Sequence, residues 1–189
     1  MKERAEKMLK EKCGITACTY HSFCVKMLRF YASFAGISPN FSIISSPDEA
    51  DIIDIAKTEL NFQRLSNMPT GTVFASMLST CVNKGISLED LLTEQRYWKF
   101  RQNEKKLLAL KRKVARYKEE HNLLNYDDIL LKFNSMLASY PDVAKKIEDT
   151  YQYIMVDEYQ DTNVLQDSII KKIRKYNQNL MVVGDDMQS

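Results

Sequence analysis

Glycine and proline are scarce in this chain, at 5 and 4 of 189 residues. That excludes a collagen-like fibre or a low-complexity linker and argues against a turn-rich β sandwich. Neither sign of charge dominates: 27 Lys and Arg face 25 Asp and Glu, for a net charge of +2. Overall charge therefore does not point to nucleic acid, and only a local cluster could. No apolar run approaches the roughly 18 residues needed to cross a membrane. The opening MKERAEKMLKEK has no apolar signal-peptide region. The expectation is a cytoplasmic protein with no membrane partner. The four cysteines, Cys13, Cys18, Cys24 and Cys81, contain no C-x-x-C pair, and His21 among them completes no zinc pattern. They read as reduced, mostly buried thiols.

What is present is an ordinary globular mix, 44% hydrophobic and 28% charged, of a length that suits one domain or one domain carrying an insertion. Residues 1–12 are helix-prone, with Ala5, Met8 and Leu9 on one side. Ile15 to Thr19 is short, apolar and partly β-branched and predicts a buried strand. Ser22 is placed to cap a following helix through Val25, Leu28 and Tyr31, ending before Gly36, Pro39 and Asn40.

The middle of the chain differs. After a short extended piece at Phe41–Ile44, Ser46-Pro47-Asp48-Glu49 carries a helix-start signature above the stripe Ile52, Ile53, Ala56 and Leu60. Further helices are expected at about 72–83, from Ser87, over 94–121, from Asn125 to Leu137, and at 163–176. The runs at 151–157 and 180–184 predict two more buried strands. Three short apolar strands separated by helices imply an α/β fold with a parallel sheet. The helical block is too long for a crossover and reads as an inserted subdomain over 41–145, between core segments 1–40 and 146–189.

Ile154-Met155-Val156-Asp157-Glu158 is the sharpest chemical feature. An apolar strand ending in Asp-Glu sets two carboxylates at the carboxyl edge of a parallel sheet, where ligands bind in open α/β folds. Such acids suit Mg²⁺, a hard cation held by one or two carboxylates plus phosphates, and can orient an attacking water. A pair of exposed acids at a strand end is the plainer alternative.

The surroundings of this pair carry a resemblance. Val156-Asp157-Glu158-Tyr159-Gln160-Asp161-Thr162-Asn163 resembles the V-D-E-[YF]-Q-D-T-N box of superfamily 1 DNA helicases of the UvrD/Rep/PcrA type. Val182-Val183-Gly184-Asp185-Asp186-Met187-Gln188-Ser189 is similar to their V-V-G-D-x-x-Q-S box, with Met187 in place of the usual Asp. Thr19-Tyr20-His21-Ser22-Phe23 resembles their T-F-H-S-F box, and Asn125-Tyr126-Asp127-Asp128-Ile129-Leu130 their D-F-D-D-L-L segment. Met1 to Glu6 resembles the helix after their T-N-K-A-A box.

The resemblance implies a partial RecA-like sheet interrupted by a mainly helical subdomain, within an ATP- and Mg²⁺-dependent 3′-to-5′ helicase acting on single-stranded and duplex DNA in repair or recombination. It implies that Asp157 binds Mg²⁺, Glu158 positions the attacking water and Gln188 senses the γ-phosphate. It places Gln160, Asp161, Gly184 and Asp185 around the nucleotide, and Thr19, His21 and Ser22 on the single-stranded DNA path. The alternative for His21 and Ser22 is a helix cap beside a satisfied histidine. The motor of a helicase–nuclease and a non-catalytic DNA-binding or interaction module are the rival readings. The G-x-x-x-x-G-K-[ST] phosphate loop occurs nowhere in the 189 residues. The chain is thus expected to be a fragment of a motor domain without ATP turnover of its own.

Between Arg96 and Lys118, ten Lys and Arg face a single acid, Glu104, with Tyr97, Trp98, Phe100 and Tyr117 interleaved. Lys105, Lys111, Arg112 and Arg116 are candidate DNA-backbone contacts. A solvated helix face with inward-packed aromatics is the alternative.

Overall fold

The computed structural model describes residues 14–185. The expected helix over 1–12, Cys13 and the Asp186–Ser189 end of the second box, Gln188 included, lie outside them. The molecule is mixed α/β, with helices around two short parallel strand pairs. Helix α1 spans Tyr20–Phe30. Strand β1 (Ser42–Ile43) leads to α2 (Ser46–Glu59), α3 (Gly71–Lys84) and the short α4 (Leu88–Leu91). A 3₁₀ segment, Trp98–Asn103, precedes α5 (Glu104–Glu120). Strand β2 (Leu123–Leu124), α6 (Tyr126–Ser139) and α7 (Pro141–Thr150) follow. The chain then forms β3 (Ile154–Val156), a 3₁₀ turn at Tyr159–Asp161, α8 (Val164–Ile173) and β4 (Leu180–Val182).

Local chemistry explains the helix starts. Ser45, Ser87, Asn125 and Asn163 each cap a helix, and Asp48, Asp90, Asp128 and Gln166 reach back to complete capping boxes. Each box satisfies two amide donors that would otherwise lack partners. Helix α3 ends at Gly85, whose φ of 65° suits a residue without Cβ.

Apolar burial forms two cores. One gathers Cys24, Leu28, Ile129, Phe133, Ile147 and Ile169, joining α1, α6, α7 and α8. The other gathers Ile53, Phe74, Met77, Leu88, Leu107 and Leu110, joining α2 to α5. Strands β1 and β2 pair in parallel, Ser42 opposite Leu123 and Ile43 opposite Leu124, so the chain enters and leaves the second core side by side. Between the cores, Lys118 of α5 is ion-paired to Glu49 of α2 at 3.1 Å and to Asp128 of α6 at 2.6 Å. The Asn125 amide also donates to Glu49 at 2.6 Å. Burial disfavours the Lys118 charge, yet the two carboxylates outweigh it and hold the pKa above the ordinary lysine value.

Several expectations are corrected. Ile15 to Thr19 is not a buried strand: it has no strand partner and is exposed. β-Branched composition favours extension, but a neighbouring strand is needed to make it a ladder. Thr19 rather than Ser22 caps α1, accepting from the Ser22 amide at 3.2 Å. The helix expected over 94–121 begins only at Glu104, because Tyr97 and Phe100 both turn inward and residues three apart eclipse in a 3₁₀ turn. Strands β3 and β4 form, but the sheet is not buried on both faces. Met155 is 72% and Met181 54% exposed, and all of β4 faces solvent. Cys18 is exposed, whereas Cys24 and Cys81 are buried.

Candidate nucleotide and nucleic-acid site

Strands β3 and β4 run parallel with Ile154 opposite Leu180, Met155 opposite Met181 and Val156 opposite Val182. Their carboxyl ends therefore bring Asp157-Glu158 beside Val183-Gly184-Asp185. The ladder continues past the strands, with the Val183 amide donating to Val156 O at 2.8 Å and the Tyr159 amide to Val183 O at 2.9 Å. Asp157 Oδ1 accepts from the Glu158 amide at 3.1 Å. Glu158 is left-handed, φ 53° and ψ 46°, and this reversal sends the chain from the strand into the 3₁₀ turn.

Gln160 joins the two segments. Its Nε2 donates to Glu158 Oε2 at 2.5 Å, and its Oε1 accepts from the Asp185 amide at 3.1 Å. Gly184 makes this approach possible, since a Cβ there would stand 2.8 Å from Gln160 Oε1 and 3.4 Å from its amide nitrogen. Asp157, Glu158 and Asp161 are exposed to solvent. The hard oxygen donors at this edge, with two carboxylates open to solvent, fit a magnesium ion that takes its remaining ligands from phosphates and water.

The turn is tied to the rest of the molecule. Tyr159 donates its hydroxyl proton to Asp167 Oδ1 at 2.7 Å, and Lys171 pairs with the same carboxylate at 2.7 Å. These contacts hold the Asp167 carboxyl below its ordinary range, the Lys171 bond contributing most. The hydroxyls of Thr162 and Tyr20 lie 3.5 Å apart, linking the turn to the start of α1. Asn163 donates to Asn83 Oδ1 at 2.8 Å, linking it to α3.

Thr19, His21 and Ser22 sit together at the start of α1. Thr19 Oγ1 donates to Ser22 Oγ at 3.0 Å. The His21 ring meets Tyr126 edge-on, centroids 5.4 Å apart, and Tyr126 is 53% exposed. Composition and periodicity did not single out Tyr126. Its place in the Asn125–Leu130 segment was the available signal. Beside it, burial pushes the Asp127 carboxyl above its ordinary pKa, against the pull of a hydrogen bond from Ser79.

The four cations singled out on α5 do not share one surface. Lys105, Arg112 and Arg116 follow a common stripe at seven- and four-residue spacing, while Lys111 lies about 100° round the helix from Arg112. Lys111 instead lines a cleft of about 860 Å³ between the two cores, with Glu49, Cys81, Lys118 and Ser168. Arg116 is paired with Glu120 at 2.7 Å. Tyr97 and Phe100 are core residues, and Tyr117 stacks on His121 with centroids 4.1 Å apart.

A family model described as the UvrD/REP helicase N-terminal domain matches residues 1–189. The chain belongs to that family. It is similar to the ATP-dependent DNA helicase PcrA of Staphylococcus aureus, at 31% identity over 191 residues that cover all of this chain and 25% of the relative. The PcrA helicase of Staphylococcus epidermidis matches at the same identity and coverage. The chain thus spans a quarter of the length of the curated relatives it matches. Among the described residues no helix is long and apolar enough to cross a membrane.

Proposed function

We propose that this UvrD/REP-family chain supplies part of the nucleotide-binding motor of an ATP-dependent 3′-to-5′ DNA helicase, working in repair or recombination. The observation that carries the reading is the Gln160 bridge, which joins Glu158 to the Asp185 amide across the carboxyl edge of β3 and β4. In this reading Asp157 holds Mg²⁺, whose charge when bound offsets that of the nucleotide phosphates. Glu158 orients the water that attacks the γ-phosphate, and Gln160 keeps that carboxylate in place. Gly184, Asp185 and Asp161 line the nucleotide side, and Gln188 senses the γ-phosphate. Thr19, His21 and Ser22 meet single-stranded DNA, and the Lys105, Arg112 and Arg116 stripe meets duplex backbone. The contact between Thr162 and Tyr20 offers a short route between the two sides. Of the 41–145 block read as the inserted subdomain, α2 to α5 build the second core, while α6 and the start of α7 pack into the first.

In the full-length protein, Glu158→Gln is expected to lower DNA-stimulated ATP hydrolysis by at least about 100-fold, the low end of general-base contributions, while nucleotide affinity stays within about threefold. An unchanged hydrolysis rate overturns the assignment. The 189 residues alone contain no phosphate loop and are expected to turn over no ATP. DNA-stimulated hydrolysis by them at even ~1 s⁻¹, a low ordinary turnover, refutes that part.

A further inference from the structure

The chain has a single tryptophan, and it is not in a core. Trp98 opens the 3₁₀ segment before α5 and is 56% exposed, while its neighbours Tyr97 and Phe100 are buried. A large aromatic ring left half in water beside a complete core is not needed for packing.

Its surroundings are cationic and fixed. The Arg101 guanidinium lies 4.6 Å from the Trp98 ring centre, and Arg96 and Lys99 flank it on the rings of Tyr97 and Phe100 at 5.4 and 5.0 Å. Trp98, Lys99, Arg101 and Gln102 together with Asn67 line a shallow depression of about 400 Å³. Its far wall is held in place by the buried Asn103 amide, which donates to Ser66 O at 2.8 Å and to Asn67 O at 2.9 Å. Lys105 follows one turn on, at the head of the α5 stripe. Across 95–118 the one acid is Glu104. Among the described residues Arg96, Lys99, Arg101 and Lys105 enter no ion pair, whereas Lys113 and Arg116 farther along are taken by Glu59 and Glu120. Unpaired cations thus surround the tryptophan and run on through Lys106, Lys111 and Arg112, while the paired ones, Lys113, Arg116 and Lys118, lie at the far end of α5.

We infer that Trp98 is a base-stacking platform for nucleic acid, with Arg96, Lys99, Arg101 and Lys105 holding the phosphates on either side of the stacked base. The ring supplies a π-face that accepts any base, and unpaired cations neutralise the backbone without reading sequence. Arg101 covers one face of the indole and stays as a cation–π partner while a base covers the other. Charge complementarity favours a polyanion over a neutral partner, and the exposed indole favours one that carries flat aromatic groups. An acidic peptide meets only the first requirement. The inference rests on the nucleic-acid reading above and adds to it a contact beside the second core, on the 3₁₀ segment before α5.

Because Trp98 is the chain's one tryptophan, its fluorescence reports the contact directly. The 189-residue chain is titrated with fluorescein-labelled oligothymidylate, a blunt mixed-sequence duplex and poly-glutamate, following indole emission and, for the two DNA probes, label anisotropy. Oligothymidylate is expected to quench Trp98 in step with binding, and poly-glutamate to leave its emission unchanged. Quenching by the blunt duplex alone would assign the platform to a terminal base pair instead of an unpaired base, and would still support stacking. Trp98→Leu is expected to weaken DNA binding about 5- to 100-fold, the span of base–aromatic stacking, and Trp98→Phe to restore it to within about threefold. Binding that rises in anisotropy while Trp98 stays silent, or equal quenching by poly-glutamate, overturns this inference and leaves the nucleic-acid reading standing. No binding of either DNA at low salt overturns both.

Discussion

The second core and the β3–β4 sheet of this molecule are finished to different degrees. Around Phe74, Met77 and Leu107, helices α2 to α5 enclose side chains that reach zero exposure. At β3 and β4 the same kind of apolar residue stays in water. Ile154 packs against the core formed by α1, α6, α7 and α8 and Val156 is buried, while Met155, Met181 and Val182 on the strands beside them are exposed. Parallel strands bury both faces when helices cover them. The described residues provide cover on one face. Helices can complete a small core with their immediate neighbours in sequence, whereas a parallel sheet depends on elements distant along the chain. The α2 to α5 unit is thus closer to self-sufficiency than the β3–β4 sheet.

The strongest test of that contrast is a large-to-small change in each core. Phe74→Ala and Phe133→Ala both remove fully buried rings and are each expected to cost about 3–5 kcal/mol in chemical denaturation. If α2 to α5 are the more self-sufficient, Phe74→Ala unfolds them as a separate transition, while Phe133→Ala loosens the sheet and leaves α2 to α5 intact. A single coincident transition in both variants breaks the distinction.

Lys118 is the bolt between the two cores. Lys118→Ala strands Glu49, a buried carboxylate, and is expected to cost about 3 kcal/mol, in the range for breaking a buried ion pair from one side. Lys118 has a pKa raised above the unfolded value. Its contribution is therefore fully present below about pH 10 and disappears as pH rises through the folded value. The wild-type chain is expected to lose stability on that alkaline limb and Lys118→Ala to show a flatter one, by denaturant midpoints measured from pH 8 to 12. Parallel limbs would show that the bridge is not what joins the cores.

At the small end, Met155→Gln is expected to change stability by no more than about 0.5 kcal/mol, as for exposed positions generally, while lowering concentration-dependent association measured by light scattering. A loss above about 2 kcal/mol would mean that Met155 is covered in solution and that the two regions are more alike than their exposures indicate.

Much of the local architecture was legible in the sequence. Ser87, Asn125 and the Ser46–Glu49 signature announced helix starts because capping is local chemistry, set by residues three apart. The order of the apolar runs gave the parallel pairing of β3 with β4, and the two boxes led to the edge where Asp157, Glu158 and Gly184 meet. Burial was not legible. Ile15 to Thr19 and Leu180 to Val183 carry the composition of interior strands, but exposure is decided by what other segments place against them. Nor did helical periodicity reveal that Asn103 would hold the Ser66–Asn67 turn, a contact spanning more than thirty residues, or that the inward-turned Tyr97 and Phe100 would delay the helix to Glu104. Lys111 was grouped with its neighbours by sequence adjacency and separated from them by the helical turn.

Glu158 occupies a backbone conformation that a side chain with a Cβ adopts at a cost of about 1–2 kcal/mol and that glycine adopts freely. A search for more stable variants of this chain, scored on folding alone, would therefore converge on Glu158→Gly or Glu158→Asn at the first opportunity. Such a library would improve steadily by thermal criteria while discarding the carboxylate that the Gln160 amide holds, so any stabilisation campaign on this protein should fix that position before it begins.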